Sequence, residues 1–340
     1  MKYNFLGNTG LLVSEICFGT MTFGGKGRFE AVGKVQQKEV NQMMEMVTQS
    51  GINFIDTANV YSEGESEKLL GQSIKDLEIP RSDLVIATKL RGRMGNSPND
   101  VGLSRFHIFN SIDESLKRLD LGHVDLLYVH GVDHFTPIEE IMRSLNDLVL
   151  SGKVRYIAVC NWPAWMVMKA QAIAESHGWN KFVGLQYFYS LAARDVEREI
   201  IPLALDQNLG IMPWSPLAGG FISGKYTRDI SKAGNSRRDT FDFPPIDKNK
   251  AYNIVDTLNE VAKPYAVSVA EIALAWVRVQ KGITSTIIGA KNIPQLQDNI
   301  QSVKIKLTSS DLEKLDKVSS LVKEYPGWMV EFQEMDRLPK

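Results

Sequence analysis

Four side chains in the first half of the chain can move or hold protons, and three of them close an apolar run: Asp56 after Asn53–Ile55, Lys89 after Leu84–Thr88 and His130 after Val124–Val129. The fourth, Tyr61, stands on the loop just past Asp56. If the runs are buried neighbouring strands, these groups leave the sheet at one edge. Asp56 and Lys89 can then form a buried ion pair that keeps Lys89 protonated, since an unpaired charge there costs several kcal/mol. A fixed ammonium beside Tyr61 stabilises phenolate and lowers the phenol from its ordinary pKa of about 10, giving a proton donor usable near neutral pH. His130 can hydrogen-bond the same substrate oxygen. A proton aimed at an oxygen suits reduction of a carbonyl, provided that a hydride source faces the carbon. No His, Cys and Asp grouping has metal-ligand spacing, so that source is an organic cofactor. The plainer alternative is that Asp56 caps a strand exit and Tyr61 packs under a loop.

The elements that must position these residues alternate regularly. Residues 3–14 read as a β-hairpin around the turn Gly7-Asn8-Thr9-Gly10. Strands are expected at 15–19, 53–58, 84–89, 124–130, 155–161, 183–187, 209–214 and 285–290, each short and rich in Ile, Val, Leu or Phe. Helices are expected between them. Segment 104–120 carries Ile108, Ile112, Leu116 and Leu119 on one face, and 268–280 opens on a Ser268/Glu271 capping box. The pattern predicts an α/β fold: a single (β/α)8 TIM barrel over residues 1–340, with an N-terminal β-hairpin and extra helices. An open doubly wound sheet is the alternative, but no Gly-rich dinucleotide fingerprint follows the first strand.

Two segments exceed the repeat. The insertion 215–267 has a glycine- and cation-bearing first part, 215–247, and a helical second part near 252–262. A loop of that length in a compact domain is usually a lid or a binding loop. After the last strand come helices 293–301 and 309–320, the second with Ser310 and Glu313 placed as a capping box, then a tail, 321–340, without periodicity that can fold over the barrel mouth.

Composition excludes several classes. The 340 residues are 44% hydrophobic and 23% charged with a net charge of -1, so no electrostatic footprint for nucleic acid or an anionic membrane exists. No run is long enough to span a bilayer, and the chain opens at Met1-Lys2-Tyr3-Asn4 without an apolar signal core. Cys17 and Cys160 lie in apolar runs and read as buried thiols. The expectation is a cytoplasmic protein.

Taken together, Asp56-Thr57-Ala58-x-x-Tyr61, Thr88-Lys89, Tyr128-Val129-His130, Val159-Cys160-Asn161-Trp162, Pro213-Trp214-Ser215-Pro216-Leu217 and Ile288-Gly289-Ala290-Lys291 resemble the aldo-keto reductase superfamily, in its branch of aryl-alcohol dehydrogenases and potassium-channel β subunits. The motifs stand in family order from the hairpin to helix 293–301. The resemblance implies a barrel binding NADPH (NADP+), with NADH less favoured, in extended form. Tyr61 is then the general acid, with Asp56, Lys89 and His130 completing the catalytic set. It also implies that Trp214 stacks on the nicotinamide ring and that Asn161 and Gln186 hold its carboxamide. Ser215, Pro216, Leu217, Gly219 and Lys225 then clasp the pyrophosphate, and Gly289, Lys291, Gln295, Asp298 and Asn299 meet the adenosine 2′-phosphate and adenine. Gly19, Thr20 and Met21 line the nicotinamide end. Cys160 stands where many members have Ser, and Gln295 where many have Arg, which makes Lys291 the main cation for the 2′-phosphate.

Phe23, Trp162 and Trp328 are candidates for an aromatic substrate pocket beside Tyr61 and His130, or else packing beneath loops. Arg237 and Arg238 read as a solvated loop face, His134 as a turn residue and Cys17 as core. The implied reaction is reduction of a small aldehyde or ketone. A regulatory NADPH-binding subunit is the rival, but channel β subunits carry Asn where this chain has His130 and a long N-terminal extension that it lacks. A metal-dependent hydrolase would need ligands on several strands, and only Asp56 and His130 qualify.

Overall fold

A computed structural model describes residues 1–226, 228, 238, 241–335 and 337. Strands β1 (Tyr3–Phe5) and β2 (Leu12–Ser14) form the antiparallel hairpin. Eight parallel strands follow: β3 (Ile16–Gly19), β4 (Phe54–Asp56), β5 (Val85–Leu90), β6 (Val124–Val129), β7 (Val154–Cys160), β8 (Phe182–Phe188), β9 (Gly210–Trp214) and β10 (Thr286–Ile288). Their spatial order is β10-β3-β4-β5-β6-β7-β8-β9, and a parallel bridge from Ile211 to Ile283, just before β10, brings the two ends together. The fold is a (β/α)8 TIM barrel, and each expected strand is present to within a residue or two.

The helices are α1 (Gln37–Gln49), α2 (Glu65–Asp76), α3 (Arg105–Leu119), α4 (Ile138–Leu150), α5 (Ala164–His177), α6 (Ile200–Asp206), α7 (Lys248–Tyr265), α8 (Val269–Arg278), α9 (Ile293–Gln301), α10 (Ser309–Ser319) and α11 (Gly327–Met335). Ser268 and Glu271 form the expected capping box of α8. The insertion helix α7 starts earlier than its periodicity indicates because the Asp247 carboxylate accepts from Lys250 N and caps it there. For α10 the box is Thr308 with Asp311, not Ser310 with Glu313. The Thr308 backbone is extended and Asp311 reaches back to its amide at 3.0 Å, so the same spacing is satisfied two residues earlier. The tail is not wholly irregular, since it contains α11. Its start is tied down by Lys250 Nζ to Ser320 O (2.7 Å) and Arg198 Nη1 to Val322 O (3.2 Å).

Alternating strand residues split the core in two. One set, including Phe18, Ile55, Ile86 and Leu127, packs outward beneath the helices. The other, including Cys17, Phe54, Ala87, Leu126, Tyr128, Cys160 and Met212, fills the barrel. The hairpin closes the barrel's lower end, with Leu6 and Val13 joining the inner set. Gly7 has φ +55°, and a Cβ there would lie 2.3 Å from Val183 O, so only glycine seats the turn beneath β8 and β9. Asn4 Nδ2 adds a hydrogen bond to Thr284 O at 2.8 Å, and Arg278 pairs with Glu15 at 2.8 Å. The lower end is thus sealed, and the carboxyl ends of the strands are left for the site.

Leu6 is fully buried in this plug. Leu6→Ala should destabilise the fold by about 2–5 kcal/mol through the cavity it opens. Urea unfolding measures this, and a loss below about 1 kcal/mol would show that the hairpin does not close the core.

Candidate active site

The register explains how the charged groups meet. Asp56 lies beside Gly19 on one side and Ala87 on the other, so its carboxylate faces the interior between two small residues. Lys89 is two residues further along β5 than Ala87 and points the same way. Its ammonium donates to Asp56 Oδ2 at 2.5 Å, to Thr57 O at 2.9 Å and to the Tyr61 hydroxyl at 3.2 Å. It also lies over the rings of Tyr61 (4.9 Å) and Tyr128 (5.7 Å), whose π faces attract a cation. Asp56 Oδ1 accepts from Gln186 Nε2 at 2.9 Å, so both carboxylate oxygens are engaged. Lys89 is 0% exposed and Asp56 3%, which makes this a closed pair. Removing one partner leaves an uncompensated buried charge, at a cost of about 3–5 kcal/mol.

Charge and burial set the protonation states. Burial works against the Lys89 ammonium, but Asp56, followed by Tyr61 and Cys160, outweighs it and holds Lys89 above its ordinary range. The phenol of Tyr61 departs from expectation. Burial raises it more than Lys89 lowers it, and Asp56 adds to the rise, so its pKa lies above 10.0 instead of below. The phenol therefore keeps its proton at neutral pH, as a proton donor must. His130 is pushed well below its ordinary range by burial and then by Lys89, Arg28 and Arg91, so it is a neutral imidazole. Its ring meets Tyr61 edge-on with centroids 6.0 Å apart.

The backbone that presents Tyr61 is strained. Ser62 (φ 49°), Glu63 (φ 58°) and Gly64 (φ 88°) are successive left-handed residues, and the two non-glycines each cost about 1–2 kcal/mol. Ser62 Oγ offsets this by donating to Phe23 O at 2.7 Å and accepting from Gly25 N at 2.9 Å. Gly64 marks the turn in the sequence, but nothing in the sequence signals that Ser62 fastens it.

The remaining predicted positions fall into groups. Trp214 is partly exposed at the end of β9, with its Nε1 donating to Asn161 Oδ1 at 3.0 Å. Phe188 stacks on it at 5.0 Å and Phe243 at 5.8 Å. Asn161 is exposed and left-handed at φ 59°. Ser215 Oγ accepts from Gly219 N at 2.7 Å, closing the loop that also contains Pro216 and Leu217, and Lys225 is exposed beyond it. At the β10 exit Asn299 Nδ2 donates to Gly289 O and Gln295 Oε1 accepts from Lys291 N, both at 3.1 Å, while Asp298 is exposed. Met21 packs against the apolar cluster of Phe29, Val32, Ala58, Val60 and Tyr61.

Several residues sit differently from expectation. Phe23 is 0% exposed with its ring edge-on to Phe18, and Trp162 is 1% exposed against Phe182, so neither offers pocket surface. Trp328 contacts Tyr325 in the tail. Thr20 is buried with its hydroxyl 2.8 Å from Ser66 Oγ, so its side chain faces α2 and not the mouth. Cys160 is fully buried in the barrel. Arg238 is not a solvated loop residue: it is 7% exposed, and its guanidinium is fully engaged within the loop. Arg237 lies outside the described residues. His134 is exposed in a turn and Cys17 is buried core, as expected.

The residues at the mouth suit a flat, anionic, extended cofactor. A partly exposed indole, fixed by its own N–H and flanked by Phe188 and Phe243, offers the ring surface that those two rings leave uncovered. Asn161 beside it offers amide groups, Lys225 a cation, and the start of α9 at the β10 exit the positive end of a helix. The amides of Ala218, Gly219 and Gly220 donate within their own loop, and Lys225 is an exposed cation among the loop's described residues. Among the described residues no cluster of His, Cys, Asp and Glu could hold a metal ion, and no helix is long and apolar enough to cross a membrane.

Comparison with known proteins agrees with this geometry. The sequence model of the Aldo/keto reductase family matches residues 15–320. A putative aryl-alcohol dehydrogenase of Schizosaccharomyces pombe is 37% identical over 338 residues, covering 92% of this chain and 94% of the relative. The versiconal hemiacetal acetate reductase of Aspergillus parasiticus is 35% identical over 93% of this chain and 96% of its own. A probable voltage-gated potassium channel subunit beta of Oryza sativa subsp. japonica is 35% identical over 96% of this chain and 98% of its own. With the barrel, the sealed ion pair and these relatives in agreement, the chain belongs to the aldo/keto reductase family of oxidoreductases.

Proposed function

We propose that the protein reduces an aldehyde or ketone to the alcohol, reversibly, with a hydride from NADPH and a proton from Tyr61. The observation that carries this reading is the buried Lys89 ammonium held between the Asp56 carboxylate and the Tyr61 hydroxyl at the barrel mouth. Asp56 keeps Lys89 charged and in place. Lys89 in turn stabilises the negative charge that develops on Tyr61 as its proton leaves. His130, neutral and across from the phenol, donates a hydrogen bond to the carbonyl oxygen and fixes its position. Asp56, Lys89 and Tyr61 are buried, while His130 is partly exposed toward the mouth from which the carbonyl enters.

NADPH, when bound, supplies the hydride. Trp214 would hold its nicotinamide ring and Asn161 and Gln186 its carboxamide, with Gly19, Met21 and the backbone of Thr20 at the same end. The loop 215–247 would clasp its pyrophosphate through Ser215, Leu217, Gly219 and Lys225. Lys291, with Gln295, Asp298 and Asn299, would meet the adenosine end, and the cationic Lys291 favours the 2′-phosphate of NADPH over NADH. A regulatory subunit is the second reading, favoured by the near full-length similarity to the rice channel subunit. It requires cofactor binding but no turnover.

Tyr61→Phe should lower kcat by at least about 100-fold, as expected for loss of a general acid. NADPH should still quench tryptophan fluorescence through Trp214 in that variant. Wild-type rates in Tyr61→Phe would refute the proton-donor role, and binding without turnover in the wild type would favour the regulatory reading. The protonation states also predict a pH profile. With Tyr61 raised and His130 lowered, neither group titrates between about pH 7 and 9, so kcat/KM for reduction should be flat there. A break near pH 8 would mean that Lys89 prevails over burial at the phenol.

A further inference from the structure

A fully buried carboxylate stands outside the barrel wall, and the reaction above does not use it. Glu67 lies in the first turn of α2. Its Oε1 accepts from Thr88 Oγ1 at 2.6 Å and its Oε2 from Arg118 Nε at 2.7 Å. Thr88 is buried and precedes Lys89 on β5, so the two side chains leave opposite faces of that strand. It points outward with Ile86 and Leu90, beneath the helices. Arg118, in the last turn of α3, also donates through Nη2 to Ser115 Oγ at 3.1 Å. Its stem fills the space beside the strained turn that presents Tyr61: a Cβ at Gly64 would lie 2.6 Å from Arg118 Cδ and 2.9 Å from its Nε.

These contacts close a ring around β5. Inside the barrel, Lys89 Nζ donates to the Tyr61 hydroxyl at 3.2 Å. Outside it, Thr88 holds Glu67. The segment 61–67 is thus fastened to adjacent residues of one strand, once from each face. Ahead of Tyr61 the loop is tied to the same strand by its backbone, from Thr57 N to Ala87 O (2.9 Å) and from Asn59 N to Lys89 O (3.1 Å). Beyond Tyr61, Glu67 supplies the tie. A buried ion pair seldom adds stability over well-packed apolar side chains, but its charge-assisted hydrogen bonds are short and directional. Here they specify where α2 begins relative to Lys89.

Building on the reading of Tyr61 as proton donor, we propose that Thr88, Glu67 and Arg118 are positioning residues for the proton transfer. They brace the Tyr61 turn against the strand that carries Lys89, and so set the separation of ammonium and phenol. All three act from behind the barrel wall, without touching substrate or cofactor. The phenol tolerates little displacement, because an error of about 1 Å at a reacting group can cost about 100-fold in rate.

The test follows benzaldehyde reduction with NADPH in Thr88→Val, which removes the hydroxyl at nearly constant shape, and in Thr88→Ser, which keeps it. Thr88→Val should lower kcat about 10- to 100-fold, while its NADPH dissociation constant, read by tryptophan fluorescence, stays within about twofold of wild type. Thr88→Ser should stay within about threefold of wild type in kcat. The combined variant Glu67→Met, Arg118→Met and Thr88→Val replaces the cluster with apolar groups. It should melt near the wild-type temperature, as apolar replacements of buried ion pairs often do, yet keep the lowered kcat. In a Tyr61→Phe background, Thr88→Val should change the residual rate by less than about twofold, because effects exerted through one group are not additive. Wild-type kcat in Thr88→Val or in the combined variant overturns the brace, and so does an undiminished effect in the Tyr61→Phe background; the proton-donor reading then stands. If the combined variant does not fold, Thr88→Val against Thr88→Ser decides. No turnover in the wild type, or a wild-type rate in Tyr61→Phe, overturns the proton-donor reading and the brace together.

Discussion

A lysine ammonium with no exposure to solvent is the constraint around which this barrel is arranged. Water cannot stabilise it, so the protein supplies every partner: a carboxylate, a backbone carbonyl, a phenol and two aromatic faces. Asp56, Thr57 and Tyr61 come from the end of β4 and the loop after it, and Tyr128 from β6. Gln186 on β8 holds the second oxygen of Asp56 from across the barrel. Ala87 and Gly19 flank Asp56 in the register, and a Cβ at Gly19 would lie 2.9 Å from the Ile287 side chain. The apolar interior below, sealed by the hairpin, keeps the dielectric low and makes these contacts strong.

That environment has two opposite effects on the phenol. The ammonium favours phenolate, while the burial that makes the ammonium effective disfavours it. Burial prevails in this arrangement, so Tyr61 rests as a protonated phenol. The strand exits concentrate charge, but their depth decides its chemical consequence.

Much of this was legible in the sequence. Regular alternation of apolar runs with helical periodicity specified the barrel, because β-strands buried on both faces and amphipathic helices leave distinct patterns. Asp56, Lys89 and His130 stood out because ionisable groups at the ends of apolar runs are costly without a purpose. What the sequence concealed depended on distance or depth. The Gln186–Asp56 bond joins residues 130 apart and has no local mark. The direction of the Tyr61 shift follows from how deeply the ring is packed, which adjacent residues do not encode. Phe23 and Trp162 looked like pocket residues because aromatics near a site often line it, yet their rings face the helices. Arg238 looked like a surface cation because loops usually face water, and only the folded loop shows its fork closed on two carbonyls. The cap of α10 slipped by two residues because Thr308 and Asp311 satisfy the same spacing as Ser310 and Glu313.

The left-handed turn at Ser62–Gly64 bears on how this site can change over time. Ser62 is bound at once to the carbonyl of Phe23 and the amide of Gly25, so the loop after β3 and the loop after β4 are joined at a single atom. Adding or deleting one residue in either loop would break that junction and carry the phenol away from the ammonium. Insertions and deletions are therefore closed off on this side of the mouth. Change on this side of the mouth is thereby confined to substitution.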